Sequence, residues 1–82
     1  MNLDIISFLK DGKYRLDLLK DIKESPKLPS EIAKKFQLNR ASVSRILRDL
    51  KNKNLIIPHS EKSRTIIYSI TKSGEEVLGR IK

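Results

Sequence analysis

The chain has 82 residues and carries 18 basic against 10 acidic side chains, a formal net charge of +8, so we expect one small domain over residues 1–82. It has no cysteine and one histidine, which excludes disulfides and thiolate metal sites and leaves little material for catalysis, so no cofactor, metal or enzymatic activity is expected. No apolar run approaches the roughly 18 residues of a membrane span and the N-terminus lacks a signal-peptide pattern, so the expected location is the cytoplasm, with no membrane partner.

Two helices are predicted in the first 25 residues. The first is short and apolar, and it ends before Asp11-Gly12. The second runs from about Tyr14 to Glu24, with leucines and isoleucine at helical spacing, and Ser25 ends it because the residue before a proline avoids the helical region. The acidic residues of the second helix are interleaved with lysines, which predicts a solvated face: Asp17, Asp21 and Glu24.

Residues 29–53 predict two short helices joined by a tight turn at Gln37 to Asn39. Pro29 suits the first helical position of the first of them. Asn39 is a good N-cap for the second, because its side chain can accept hydrogen bonds from the free N–H groups of the first turn. At about 100° per residue, the second helix has an apolar side and a small, polar and basic side. The apolar side carries Val43, Ile46, Leu47 and Leu50; the opposite side carries Ala41, Arg45, Arg48 and Asn52, flanked by Ser42, Ser44 and Asp49.

Residues 55–70 predict a two-stranded β-hairpin. Asn54 precedes it and tolerates the left-handed conformation that ends many helices. His59 is predicted to be a surface or phosphate-contacting residue. Alternation in the second strand predicts that Ile67 faces outward and that three residues face the core, namely Ile66, Tyr68 and Ile70. The predicted boundaries are residues 55–57 for the first strand, 59–63 for the turn and 64–70 for the second strand.

A last helix is predicted over residues 71–82. Thr71 is a plausible N-cap, and Val77, Leu78 and Ile81 recur at helical spacing. This apolar stripe and the N-terminal segment Leu3–Leu9 are the two candidate surfaces for a homodimer. Either would otherwise complete the core of the monomer.

The excess positive charge is concentrated in residues 40–64. This segment holds seven basic side chains against two acidic ones, a net charge of +5, whereas residues 1–27, 28–39 and 65–82 each carry +1. A solvated surface needs no such concentration, but a surface that binds a polyanion does. The charge pattern therefore favours nucleic-acid binding over a basic surface that serves solubility alone.

Three stretches of the chain resemble the winged-helix transcription regulators of the MarR-like and ArsR-like group: LPSEIAKKFQLNRASVSRILRDLKNKNLI, RTIIYSITKSG and, more loosely, FLKDGKYRLDLLKDI. The resemblance implies a mainly α fold with a small β-hairpin (α+β), a winged helix-turn-helix of four to five helices and a two-stranded wing. It also implies sequence-specific binding to double-stranded DNA, with the second helix of the pair in the major groove and the wing on the backbone or in the minor groove.

The same resemblance assigns roles to individual residues. The groove role falls on Arg40, Ser42, Ser44, Arg45 and Arg48, and the wing role on Lys62, Ser63 and Arg64. Asn39 and Ala41 complete the expected nucleic-acid-binding set, since small residues at the start of a helix let its backbone approach DNA closely. Leu28 stands where the family has serine or threonine before Pro29, so the third helix is predicted to lack a side-chain cap.

Two other functions remain open from the sequence. A winged helix that serves as a protein-interaction module within a larger assembly would present an apolar or mixed-charge face, whereas this one is basic. An RNA-binding winged helix would favour exposed aromatic side chains, whereas the four aromatic residues here mostly fit core positions.

Overall fold

The structure, a computed structural model, describes residues 2–60 and 66–81. Within these ranges the chain forms five α-helices and one antiparallel pair of strands, as the sequence predicts. No helix in them is long and apolar enough to cross a membrane. In chain order the elements are α1 (Asn2–Asp11), α2 (Arg15–Glu24), α3 (Pro29–Phe36), α4 (Arg40–Asn52), β1 (Ile56–Ser60), β2 (Ile66–Ile70) and α5 (Lys72–Arg80).

One hydrophobic core joins the five helices to the start of β1. Each helix supplies at least one buried apolar side chain, and full burial of such a side chain contributes about 1.5–3 kcal/mol. Three apolar residues of α4 are almost completely buried, so α4 is fixed to the body of the protein along one side. The buried set is Leu9, Leu18, Leu19, Ile22, Ile32, Val43, Leu47, Leu50, Leu55, Ile56, Val77 and Leu78.

Local side-chain chemistry defines the ends of α4 and α5. The Asn39 Oδ1 accepts a hydrogen bond from the Ser42 N–H at 2.7 Å, which confirms the predicted N-cap of α4. Asn54 adopts the left-handed conformation with a φ of 63°, also as predicted. The Thr71 Oγ1 accepts from the Gly74 N–H at 3.0 Å and donates to the Asn54 carbonyl at 2.7 Å. Thr71 therefore caps α5 and ties it to the end of α4.

The start of α3 lacks a side-chain cap, as expected for Leu28. The carboxylate of Glu31 replaces part of that function, because its Oε1 accepts from the Leu28 N–H at 2.8 Å. This is the reciprocal half of a capping box. A negatively charged residue in the first turn also suits the helix dipole, so α3 begins at Pro29 without the usual serine or threonine.

Strand β1 is longer than predicted. It pairs with β2 from Ile56 opposite Ile70 to Ser60 opposite Ile66, so His59 lies in the strand rather than in the turn. Pro58 is accommodated because β1 is an edge strand, where a missing N–H costs little.

One residue of β2 is less buried than the alternation pattern indicates. Tyr68 and Ile70 pack against the core as predicted, but the Ile66 side chain is 40% exposed. Ile66 lines an open cleft together with Leu28 and Val43 instead of being enclosed in the core. Ile67, predicted to face outward, is half-buried.

The wing is anchored to the loop between α2 and α3. The backbone N–H groups of Lys27 and Tyr68 each donate to the carbonyl of the other residue at 2.9 Å, so Lys27 forms an isolated bridge with β2. This bridge fixes the strand pair beside the first turn of α3 and therefore fixes its position relative to α4.

The face of α2 predicted to be solvated is buried at one position. Asp17 and Glu24 are exposed, but Asp21 is only 4% exposed. Its Oδ1 accepts a hydrogen bond from the Lys35 Nζ, and the Lys27 Nζ lies 3.7 Å from the same oxygen. This hydrogen bond, with a smaller contribution from the charges of Asp21 and Glu24, raises the pKa of Lys35 above its ordinary value of 10.5. Asp21 is thus the centre of an ion-pair cluster that connects α2 with α3.

Candidate nucleic-acid interface

The side of α4 opposite its buried stripe is open to solvent. Val43, Leu47 and Leu50 are at most 1% exposed, which turns the polar and basic side outward. The structure brings most of the predicted groove residues to this surface, while Ser42 is half-buried. The exposed residues are Asn39, Arg40, Ala41, Ser44, Arg45 and Arg48.

The three arginines of this surface are not neutralised by neighbouring carboxylates. The ion pairs within residues 2–60 and 66–81 involve Arg15, Lys27 and Lys35, and none includes an arginine of α4. An unpaired, exposed guanidinium can bind a phosphate or the acceptor edge of guanine, because it presents several N–H donors in a fixed plane. The surface is therefore chemically suited to a polyanion.

Asn39 contributes to this surface as the N-cap of α4, whereas the arginines contribute positive charge. Its Oδ1 accepts the Ser42 N–H, so the acceptor end of the amide serves the helix. The residue therefore sets where α4 begins and, through that, where the following side chains point.

One flank of α4 faces the wing. Arg40 and Ser44 line a cleft together with the first turn of α3 and the exposed side chain of Ile66. The cleft also includes Leu28, Pro29 and Ser30. The predicted wing residues Lys62, Ser63 and Arg64 lie outside the described residues, so their role stays a prediction.

The other flank of α4 faces the turn between α1 and α2. A second cleft lies there, and Ser42 and Arg45 form its α4 wall together with Asp49. Its opposite wall comes from the turn and the start of α2, with Lys13, Tyr14 and Arg15.

Arg15 pairs with the one carboxylate of α4. Its Nη2 lies 3.6 Å from the Asp49 Oδ2, and its Nη1 donates to the Phe8 carbonyl at 2.7 Å. The guanidinium also stacks 4.0 Å from the centre of the Phe8 ring. Gly12 makes this arrangement possible, since a Cβ there would clash with the Arg15 side chain. Arg15 thus connects α1, α2 and α4.

Sequence reasoning missed Lys13 and Arg15 as neighbours of this surface. The basic and acidic side chains of residues 1–27 almost cancel. The net charge of this segment therefore does not show which of its basic residues lie near α4. The turn glycine, Gly12, was the available signal, since it is followed by Lys13 in the turn and by Arg15 at the first position of α2. The segment also matches the loosest of the three resembling stretches.

The remaining aromatic and histidine residues have structural contacts. The four aromatic side chains, Phe8, Tyr14, Phe36 and Tyr68, are partly buried against the core, which leaves no platform of fully exposed rings for base stacking. His59 is exposed, and its Nε2 forms a 2.8 Å hydrogen bond with the Ser69 Oγ on the neighbouring strand. The described residues contain no group of three or more histidines or carboxylates that could hold a metal ion.

Comparison with known proteins places this geometry in a family. Among solved structures, the transcriptional regulator BldR from Sulfolobus solfataricus superposes with a TM-score of 0.75 at 22% identity, over 80% of this chain and 49% of BldR. The present chain therefore spans about half the length of BldR. Reduced HlyU from Vibrio cholerae N16961 superposes with a TM-score of 0.77 at 18% identity, over 98% of this chain and 87% of HlyU. No curated protein sequence matches the chain significantly. The family model for winged helix-turn-helix proteins matches residues 3–82, and the chain belongs to that family.

Proposed function

We propose that this protein binds double-stranded DNA in a sequence-specific manner and regulates transcription by occupying its site. One observation carries the proposal: α4 exposes Arg45 and Arg48 on the side opposite its buried stripe and Arg40 on one flank, and none of the three is in an ion pair within the described residues. A helix of this kind fits the major groove, where base edges present distinct patterns of donors and acceptors. BldR, which has the same fold, is a transcriptional regulator.

The residues of the surface divide into two groups in this proposal. Arg45 and Arg48 lie at the centre of the exposed side of α4 and contact base edges, where one arginine to a guanine is worth about 1–3 kcal/mol of discrimination. Arg40, at the edge toward the wing, contacts phosphate, together with Lys62 and Arg64. Phosphate contacts position the protein and make binding depend on salt, while base contacts specify the sequence.

The small residues between the arginines control the distance to DNA. Ala41 and Ser44 are exposed and have short side chains, so the backbone of the first two turns of α4 can approach the base edges. Ser42 lies at the side of the groove and is suited to a phosphate contact. Asn39 fixes the first turn, and Ser63 belongs with the wing contacts.

The test is a titration of the protein with duplex DNA at several salt concentrations, with single-stranded RNA as competitor. Duplex binding that weakens steeply with salt and resists the RNA supports the proposal. Absence of duplex binding at low salt would contradict it, and the basic surface would then belong to an interaction with a protein. Displacement by RNA would instead indicate an RNA-binding winged helix.

Arg45→Ala tests the base contact on a duplex selected from random sequence. The change should weaken binding to the selected site by about 1–3 kcal/mol and reduce its preference over other sequences. Arg80→Ala is the matched control, because Arg80 is exposed on α5 and lines neither cleft. Equal affinities of the two variants for the selected site would remove Arg45 from the reading surface.

A further inference from the structure

The cleft between the α1–α2 turn and α4 has the position and the charge of a second DNA contact. We propose that it binds the phosphate backbone on the side of the major groove away from the wing, with Lys13 as the principal contact. This inference rests on the proposed function and extends it to a surface outside the helix-turn-helix and the wing.

The position follows from the geometry of α4. At about 100° per residue, Ser42 and Asp49 lie on one flank of the helix, with Arg45 between that flank and the centre of the exposed side, and Arg40 and Ser44 lie on the other flank. The structure agrees, since the first three residues line the cleft at the α1–α2 turn and the other two line the cleft at the wing. A helix in the major groove, which is about 12 Å wide, has a phosphate backbone on each side. If the wing meets one backbone, the other lies beside the α1–α2 turn.

The electrostatics of the cleft favour an anion. Lys13 and Arg45 are exposed at its two walls, and neither belongs to an ion pair within residues 2–60 and 66–81. The Lys13 Nζ lies 5.5 Å from the centre of the Tyr14 ring, which keeps the ammonium near the turn. These two cations make the cleft attractive to a phosphodiester, which Lys13 would contact at one wall while Arg45 reaches the base edges from the other.

Arg15 neutralises the negative charge in the cleft that would oppose a phosphate contact. Among the described residues, Asp49 is the only carboxylate that lines the cleft, and an unpaired carboxylate there would repel the phosphate. Arg15 lies 3.6 Å from it and is itself held by the Phe8 carbonyl at 2.7 Å and by the Phe8 ring. We therefore assign Arg15 as a positioning residue, which neutralises Asp49 rather than touching DNA.

The first experiment compares Lys13→Gln with the unmodified protein on random-sequence duplex DNA at several salt concentrations. Loss of one phosphate contact should weaken binding to all sequences alike and reduce the salt slope by about 0.9. Lys13→Arg should retain the slope. Lys20→Gln is the control, because Lys20 is also exposed but lines a different cleft, together with Asp17, Asp21 and Glu24. The salt slope of this variant should equal that of the unmodified protein.

An unchanged slope for Lys13→Gln, with Arg45→Ala still impaired on its selected site, would overturn this inference and leave the proposed function standing. Failure of the unmodified protein to bind duplex DNA at all would overturn both. An equal loss of duplex affinity and salt slope in Lys20→Gln would also overturn this inference, since the lower net charge alone would then explain the weaker binding of Lys13→Gln.

The second experiment tests the neutralisation of Asp49. Arg15→Gln leaves that carboxylate uncompensated and should weaken duplex binding, and the double variant Arg15→Gln with Asp49→Asn should recover most of the loss. A purely structural role of Arg15 predicts no recovery, because the second substitution does not restore the contacts with Phe8. Thermal unfolding of both variants separates folding from binding, and weak binding of a folded double variant would contradict the assignment.

Discussion

Asp21 is the residue whose environment departs most from what its neighbours in the sequence indicate. The carboxylate is buried, its Oδ1 faces the ammonium groups of Lys27 and Lys35, and its Oδ2 has no hydrogen-bond partner among the described residues. A buried charge is tolerated only when it is paired, because removal of one partner leaves an uncompensated ion. The stability of the contact between α2 and α3 therefore depends on the positive charges of Lys27 and Lys35.

The effect of pH on this cluster has a definite sign. The pKa of Lys35 is higher in the folded protein than its ordinary value of 10.5, so the ion pair stabilises the fold fully below that value. The stabilisation is lost as the pH rises through the folded pKa, because the lysine becomes neutral.

Lys35→Gln should consequently lower the free energy of unfolding at neutral pH, and its deficit against the unmodified protein should shrink above about pH 10.5. Urea unfolding across this pH range measures the deficit. Lys34→Gln is the control on the same helix, since Lys34 is exposed and forms no ion pair within the described residues. A deficit that is the same at neutral and alkaline pH would contradict the coupling of Lys35 to Asp21.

The burial of Asp21 could not be predicted from the sequence. Its spacing from Asp17 and Glu24 and the lysines between them are those of a solvated helix face. The partners that bury it, Lys27 and Lys35, come from the following loop and helix, and only the packing of α3 against α2 brings them together. The same limit applies to Arg15 and Asp49, which are 34 residues apart in the sequence.

At the level of elements, the start of α4 combines a helix cap with the proposed DNA contacts. Asn39 caps the helix by accepting the Ser42 N–H, and the next turn carries the residues proposed to enter the groove. Fraying of this turn would both remove a stabilising hydrogen bond and disorder the binding surface. The cap is therefore expected to influence DNA affinity even if its side chain does not touch DNA.

Substitutions at Asn39 separate these two effects. Asn39→Ala should cost about 1 kcal/mol of stability, whereas Asn39→Ser and Asn39→Asp should retain it, because all three polar residues are good N-caps. Asn39→Asp should nevertheless weaken duplex binding, since it adds a negative charge beside the proposed groove surface. Urea unfolding and duplex titration of the three variants measure both quantities. Undiminished duplex affinity of the stable aspartate variant would mean that the start of α4 does not face DNA.

The elements that the sequence predicts well are those defined by local signals. Asn39, Asn54 and Thr71 mark helix ends through hydrogen bonds or backbone conformations that span a few residues, and the structure confirms all three. The extent of β1 and the exposure of Ile66 were predicted incorrectly. Both depend on the position of the strand pair relative to the helices. The long-range bridge between Lys27 and Tyr68 helps to fix that position.

At the level of the whole molecule, the folded arrangement limits how two copies could associate. Of the candidate dimer surfaces, Leu9, Val77 and Leu78 lie in the core of the monomer and are not available to a partner. The half-buried side chains Ile5, Ile6 and Ile81 remain partly accessible beside them. Of these two candidate surfaces, the described residues therefore leave the outer edges of α1 and of the C-terminal segment open to a partner.

The proposed sequence specificity gives a physical reason to expect such a dimer. One small domain reads few base pairs, and two copies related by a two-fold axis double the number of contacts. The selected DNA site should then be two-fold symmetric, with half-sites about 10 base pairs apart. Sedimentation of the protein with that duplex should give two copies per site, and Ile5→Glu should reduce the stoichiometry to one while leaving binding to a single half-site intact. Full affinity for a single half-site, with no gain from the second, would show that the protein acts on DNA as a monomer.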